Sequence, residues 1–498
     1  MSTAQSHLAL DLGAESGRAI LGRFDGDKLR LSEIHRFPNL PVVLPDGLHW
    51  DVLRLWHGVK EGLAKALQEE VTGLASVGLD TWGVDFGLLD RDGTLIANPS
   101  HYRDSRTDGM LDEAFRRVPR SEIFEQTGIQ FLQLNTLYQL ISMVVQSSPS
   151  LEIAHTFLTI PDLLNYWLTG EIASEFSNAT TTQCYNPRAG DWATGLLERL
   201  GIPQHIFPEI VQPGTELGRL LPNVSGEMSL SSDRGLAVIA PACHDTGSAV
   251  AAVPASDSGF AWISSGTWSV VGAEVSEPVI NAQSLAHNFT NEGGVCGTFR
   301  FSRNVMGLWL VQECRRTWAN QGQEHEYAEL AGMAAKAEPL QAVIDPDYVE
   351  FFKPGDMPAR IQDYCRATGQ PVPGDKGAIV SCALEGIALK YRWVLERLEE
   401  MLGHRLEPLH IVGGGTQNQL LSQFTADATG RTVITGPVES TATGNLLMQM
   451  LALGHINSLA EGRAIVRASF DLSVYEPGPP DRWDEAYERL LTLMTRPV

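Results

Sequence analysis

The chain is expected to fold as two similar α/β domains, and three features of its 498 residues lead there. Strand-like and helix-like apolar patterns alternate along its length, the arrangement that builds a sheet covered by helices. A short apolar strand that enters a small, polar, glycine-tipped turn and leaves as a second strand occurs twice, at the start and near the middle. The tip glycines, Gly17 and Gly266, stand 249 positions apart, half the chain, which suggests an internal repeat. Ser-Gly turns are common, so two unrelated hairpins remain the alternative. The domains are accordingly expected at 1–253 and 254–498, because Pro254, Ala255, Ser256, Asp257, Ser258 and Gly259 break the pattern.

In chain order, His7–Gly13 is an apolar strand ending on Asp11-Leu12-Gly13, Ala14–Arg18 is its turn, and Ala19–Phe24 is the return strand. Val52–Glu70 places Trp56, Val59, Leu63, Ala66 and Leu67 at helical spacing, and Ala75–Asp80 is a strand running into a loop. Leu236–Ala240 is a strand that enters Pro241-Ala242-Cys243-His244-Asp245-Thr246 before small residues able to open a helix. The second hairpin is Phe260–Ile263, the turn Ser264–Thr267 and the strand Trp268–Val271. Asn304–Trp318 and Glu385–Leu402 are expected helices, the latter with Ile387, Tyr391, Val394, Leu398 and Met401 on one face. Leu409–Val412 is a buried strand ending in Gly413-Gly414-Gly415, with a helix start expected at Thr416.

Composition removes several function classes. A formal charge of −23 argues against nucleic acid or an anionic membrane as partner, so any bound phosphate needs local help. No apolar run approaches the roughly 20 residues that span a bilayer, and Met1–His7 lacks a basic, then apolar, leader; a cytoplasmic protein is expected. With 43% hydrophobic residues the chain has material for sizeable cores. The six cysteines form no CxxC pair and no Cys/His cluster of zinc spacing; Cys365 and Cys382 flank a Gly/Pro-rich stretch and have the spacing to meet.

Three glycine-rich turns after strands, Gly13–Gly17, Ser264–Thr267 and Gly413–Gly415, can present backbone N–H groups to phosphate. None matches GxxxxGK[ST] or GxGxxG. Asp85-Phe86-Gly87 and His101–Asp104 mimic protein-kinase signatures, in reversed order and without the lysine strand. Asp11 is placed either to hold a hydrated magnesium ion or to cap a turn. Asp245 is placed either to accept the proton of an alcohol during phosphoryl transfer or, with Thr246, to cap a helix. Asp80-Thr81-Trp82-Gly83-Val84-Asp85 offers two carboxylates, an indole and a bare glycine, as a polyol pocket would, or an ordinary loop around a buried tryptophan. His101–Arg106 either lines that pocket or forms a structural ion pair, and Trp309 and Gln312 are either core or a cleft wall.

DLGAESGR (11–18), DTWGVDF (80–86), HYRDSRT (101–107), NATTTQ (178–183), HDTGSAV (244–250), SSGTWS (264–269), NEGG (291–294), NVMGLWLVQ (304–312) and HIVGGGTQN (410–418) follow one another in the order and form of a known family. Over residues about 7 to about 455 the chain resembles the FGGY carbohydrate kinases. The resemblance implies two actin-like ATPase (ribonuclease H-like) domains closing on an interdomain catalytic cleft. It also implies ATP with Mg2+, and transfer of the γ-phosphoryl to O1 of L-rhamnulose in L-rhamnose catabolism. It assigns Ala14, Glu15, Ser16, Gly17 and Arg18 to the first phosphate loop and Thr267 to the second, with Gln312 and Gly414 on the nucleotide. Asp245 becomes the base; Gly83, His244, Asp245, Thr246 and Asn304 bind sugar; Asp11 orients the metal-bound phosphates. The first loop departs from the wider superfamily, where a hydroxyl residue usually follows the glycine: Ala14 and Glu15 stand there, so backbone N–H, Ser16 or Arg18 must meet the phosphate, and Glu15 needs Mg2+ or Arg18 nearby. Small-molecule partners alone are expected, with a monomer or small homo-oligomer. Two alternatives carry different tests: a kinase for another ketose, L-fuculose or D-xylulose, and a non-enzymatic actin-like ATP switch, which would need neither the HDT base nor the DTWGVDF pocket.

Overall fold

A hairpin that starts each of two sheets organises the chain. The computed structural model describes residues 5–70, 73–227 and 235–495; Met1–Ala4, part of the stretch where no leader is expected, lie outside the described residues. The chain packs as two units, one of 1–252, 274–301 and 440–469, the other of 253–273, 302–439 and 470–498.

The first unit holds a six-stranded sheet in the order Thr215–Arg219, Ala237–Ala240, Leu74–Thr81, Gln5–Leu12, Ser16–Phe24, Leu29–Pro38. Gln5–Leu12 pairs antiparallel with its hairpin partner, Asp11 opposite Arg18, and parallel with Leu74–Thr81, Asp11 opposite Asp80. Strands in the middle of such a sheet are covered on both faces, which is why Leu8-Ala9-Leu10 is continuously apolar and fully buried. Helix Val52–Glu69 lies on one face, capped by Asp51 accepting from the Arg54 N–H, with Val52, Leu55, Val59, Leu63 and Ala66 turned inward at helical spacing. Helix Ser440–Ala452 packs on this sheet and on helix Asp245–Ala251.

The second unit repeats the motif: Ala261–Ser265 pairs antiparallel with Trp268–Val275 and parallel with Leu409–Val412, which pairs with Val433–Thr435. Helix Lys376–Leu402 begins nine residues before the expected start, because Asp375 caps it by accepting from the Ala378 N–H, and it is buried on nearly every side. After Leu409–Val412 the chain makes a single 3-10 turn, Gly414–Gln417, so the next helix starts at Gln419 under an Asn418 cap and not at Thr416. Asn304 does not open a helix. It lies on strand Phe299–Met306, which buries Phe301, Val305 and Met306, and the helix is Trp309–Asn320. Gly307 makes the break: a Cβ there would stand 2.8 Å from the Gly266 carbonyl oxygen.

Among the described residues no helix is long and apolar enough to cross a membrane. All six cysteines are free thiols. Cys365 and Cys382 lie near enough to influence each other, which draws the Cys365 thiol down and, with burial, pushes the Cys382 thiol well above its ordinary value; the Cys382 thiol donates to the Ala342 carbonyl at 3.5 Å.

Candidate active site

In the first unit the chemistry gathers where three parallel strands end, the edge at which open α/β sheets bind ligands. The Trp82 N–H donates to the Leu12 carbonyl at 3.3 Å, and the Thr81 N–H to the Cys243 carbonyl at 2.9 Å. Asp11, Asp80, Gly83, His244 and Asp245 are thereby brought to one edge. The Gly13 N–H closes the hairpin turn on the Ser16 carbonyl at 2.9 Å, which sets out Ala14, Glu15 and Ser16 at its tip. Asn39, with no signal in the sequence, braces the tip: its N–H donates to the Glu15 carbonyl and its amide to that of Gly13. Gly17 cannot carry a side chain, because a Cβ would fall 2.3 Å from the Phe37 ring. Arg18 forms a salt bridge with Asp11 across the hairpin, so the guanidinium lies beside the first-strand acid; Glu15 is exposed.

Asp80 is fully buried, accepts from the Asn445 amide at 2.6 Å and leaves Oδ1 without a hydrogen-bond partner. Burial first, then the charges of Asp11 and Asp245, push its carboxyl well above the usual carboxylate range. Among the described residues there is no cluster of three or more His, Cys, Asp or Glu that forms a metal cage. Asp11 is a hard oxygen donor at this edge, of the kind that can supply one carboxylate to a cation whose other ligands are water and phosphate oxygens.

His244 precedes and Asp245 opens helix Asp245–Ala251. Buried Glu175 organises the approach: it accepts from the Cys243 N–H at 3.0 Å and from the Ser177 hydroxyl, which accepts from the His244 N–H at 3.0 Å. Asp245 is about one-third exposed, its Oδ1 accepting from the Thr246 N–H and hydroxyl. Oδ2 has no hydrogen-bond partner among the described residues. Gly83 faces His244, and a Cβ on it would stand 2.8 Å from the Thr181 methyl and 3.1 Å from His244 Nε2. Burial pushes the Cys243 thiol well above its ordinary value, which leaves it inert beside the acid.

Glu175 rests on Asp162, whose Oδ1 accepts from the Glu175 N–H at 3.1 Å and whose Oδ2 accepts from the Thr159 hydroxyl at 2.6 Å. Burial raises the Asp162 carboxyl from 3.8 to about 8. Between those values the folded chain keeps a proton that the unfolded chain has lost, so stability falls as pH rises through that window. Thermal melts from about pH 5 to about pH 8 are expected to decline more steeply for the native chain than for Asp162→Asn. Parallel profiles would place the titration elsewhere.

Asp85 does not line a pocket. Both of its oxygens are taken up, Oδ2 by the indole N–H groups of Trp50 at 2.6 Å and Trp82 at 2.9 Å, Oδ1 by the Gln139 amide at 2.9 Å. His101 stacks on Trp50 and Tyr102, Asp104 accepts from the Leu48 N–H, and Arg106 donates to Gln139, so this segment buttresses the loop.

In the second unit the turns after Ser265 and Val412 lie against each other, a Cβ on Gly415 falling 2.6 Å from that of Ser265. The Trp309 N–H donates to the Thr267 carbonyl at 3.1 Å, which starts the helix carrying Gln312. Gln312 Oε1 is buried without a hydrogen-bond partner, an acceptor available to a ligand, and Gly414 is exposed with open space before it. Thr267, Gln312 and Gly414 are thus brought together; half-buried Asn304 lies on the strand before Gly307. Trp309 is core, its indole N–H donating to the Phe351 carbonyl.

Residues 6–251 match the FGGY family of carbohydrate kinases, N-terminal domain, and residues 261–453 the C-terminal domain. A rhamnulokinase of Bacteroides thetaiotaomicron is 43% identical over 97% of this chain and 98% of its own. One of Oceanobacillus iheyensis is 40% identical over 95% and 98%. Solved structures share the fold at low identity: gluconate kinase from Lactobacillus acidophilus at 16% identity, TM-score 0.81, covering 99% of this chain and 98% of that one, and Plasmodium falciparum glycerol kinase with ADP at 17%, TM-score 0.77, covering 98% of each. Two matching domain models over the two hairpin-led halves, and relatives of nearly equal length, lead to one conclusion: the chain belongs to the FGGY family of carbohydrate kinases, in its rhamnulokinase branch, and is an ATP-dependent sugar kinase.

Proposed function

We propose that the chain transfers the γ-phosphoryl of MgATP to O1 of L-rhamnulose, giving L-rhamnulose 1-phosphate and ADP. The observation that carries this is Asp245: a carboxylate held by one oxygen on Thr246, with the other open, beside His244 and Gly83. Asp245 takes the O1 proton as the bond from O1 to the γ-phosphorus forms and the bond to the ADP oxygen breaks. Gly83, His244, Thr246 and Asn304 bind the sugar. Ala14–Gly17, Thr267, Gln312 and Gly414 meet the nucleotide, and Arg18 offsets charge beside Asp11. Magnesium, when bound, neutralises the phosphate oxygens in transfer, and Asp11 is the residue that holds it. The halves 1–253 and 254–498 carry the base with the first loop and the second loop with the adenosine contacts, respectively. The partners are two small molecules, in a cytoplasmic monomer or small homo-oligomer; the charge of −23 supports the exclusion of nucleic acid and membrane.

ADP release, coupled to NADH oxidation, tests this across L-rhamnulose, L-fuculose, D-xylulose, L-ribulose and glycerol. Clear preference for L-rhamnulose is expected. Preference for another ketose would overturn the substrate while leaving the base, and sugar-independent release would identify an ATP switch.

A further inference from the structure

At the Nδ1 edge of His244 lies a buried group that the transfer step leaves unused. Arg300 is fully buried; its Nη2 stands 3.1 Å from His244 Nδ1 and 3.1 Å from Glu292 Oε2, and its Nε donates to the Gly293 carbonyl at 2.9 Å. Glu292 Oε2 is also 3.3 Å from His244 Nδ1, and the Thr181 hydroxyl 3.2 Å. Two proton placements therefore compete: an Nδ1–H donating to Glu292, or an Nδ1 lone pair accepting from Arg300.

A guanidinium has N–H donors and no acceptor lone pair, so its 3.1 Å contact is a hydrogen bond only when Nδ1 accepts. A proton on Nδ1 would press one donor against another beside a fully buried guanidinium. Glu292 does not need that proton. Burial alone would raise its carboxyl, yet the Arg300 guanidinium beside it draws the carboxyl down and keeps it a carboxylate. A neutral imidazole with Nδ1 accepting must carry its proton on Nε2. Nε2 is the atom that faces the bare Gly83 and stands 3.5 Å from Asp245 Oδ1.

We infer that Glu292 and Arg300 are positioning residues that fix His244 as the neutral Nε2–H tautomer, a constant hydrogen-bond donor toward the sugar and Asp245. The imidazole then offers no second base beside Asp245, and it selects a sugar hydroxyl placed to accept. This rests on His244 and Asp245 lying at the acceptor sugar, as proposed above.

Nuclear magnetic resonance of the full chain labelled with 15N-histidine reads the tautomer without turnover, the His244 signals being those lost in His244→Gln. A proton on Nε2 and none on Nδ1 is expected near about pH 7.5. In Arg300→Met the donor is gone, and His244 should move to mixed tautomers or to Nδ1–H. There kcat should fall about tenfold or more and the sugar KM rise, the scale on which partners that orient functional histidines act, with the ATP KM unchanged. Arg300→Lys, which keeps a donor, should recover part of the loss, and Glu292→Gln should move the kinetics in the same direction as Arg300→Met. Native Nδ1–H, or an unchanged tautomer in Arg300→Met, overturns the inference; should that variant not fold, the native spectrum decides alone. A failed spectrum leaves Asp245 as base, whereas an active Asp245→Asn removes the base and leaves the tautomer standing.

Discussion

Asp245→Asn is expected to fold, bind ATP and lose phosphoryl transfer by at least about 10²-fold, the lower range for removal of a general base. The substitution keeps shape: an asparagine Oδ1 can still accept from the Thr246 N–H and hydroxyl, so the start of helix Asp245–Ala251 is preserved. What it removes is the open carboxylate oxygen that takes the hydroxyl proton. Calorimetric titration with ATP and a turnover assay on one preparation separate the two effects. Turnover near the native rate would remove Asp245 from the mechanism, whatever the fold.

Gly444→Ala is expected to cost both stability and activity. A Cβ there would stand 1.8 Å from the Ser248 carbonyl oxygen and 2.7 Å from its carbon, so helices Ser440–Ala452 and Asp245–Ala251 cross backbone to backbone. Neither is a flexible side-chain end. Restoring an ordinary contact of 3.4 Å moves the helices apart by about 1.6 Å, and the helix that moves carries Asp245. Overpacking of this kind costs about 1–3 kcal/mol, and a displacement of about 1 Å at reacting groups costs about 10²-fold in rate. Thr441→Ala, on a partly exposed position of the same helix, should stay within about 0.5 kcal/mol of native. Melting temperature and kcat for the two variants check this; a Gly444→Ala protein with native values for both would show that the crossing yields without disturbing the acid.

Local chemistry made the hairpins, their glycine tips and the His244-Asp245-Thr246 segment visible in the sequence, because an apolar run, an acid and small residues act within a few positions of one another. Longer-range packing was not visible. Asp85 read equally as part of a polyol pocket or of a loop around a buried tryptophan, and nothing near it in sequence tells that the Trp50 indole and the Gln139 amide consume its oxygens. Arg300 sits between two phenylalanines on a strand, where an arginine usually reads as the solvent side; its burial follows from Glu292, His244 and Gly293. Glu292 and Thr181 lay within recognisable motifs, NEGG and NATTTQ, without a role attached. Asn304 was misplaced on a helix because Val305, Met306, Leu308 and Trp309 fit helical spacing, and Gly307 separates strand from helix only through its contact with Gly266. Residues 274–301 and 440–469 pack with the first unit though they follow the expected boundary, since an apolar helix face does not encode which sheet it will cover.

Phosphorus NMR of the native chain mixed with MgATP and L-rhamnulose tests the central claim most directly, because it reports where the phosphoryl group goes. The expected result is one ester phosphate coupled to the C1 protons of the sugar for each ADP formed, absent in Asp245→Asn. Inorganic phosphate in place of the ester, or an ester on another carbon, would contradict it.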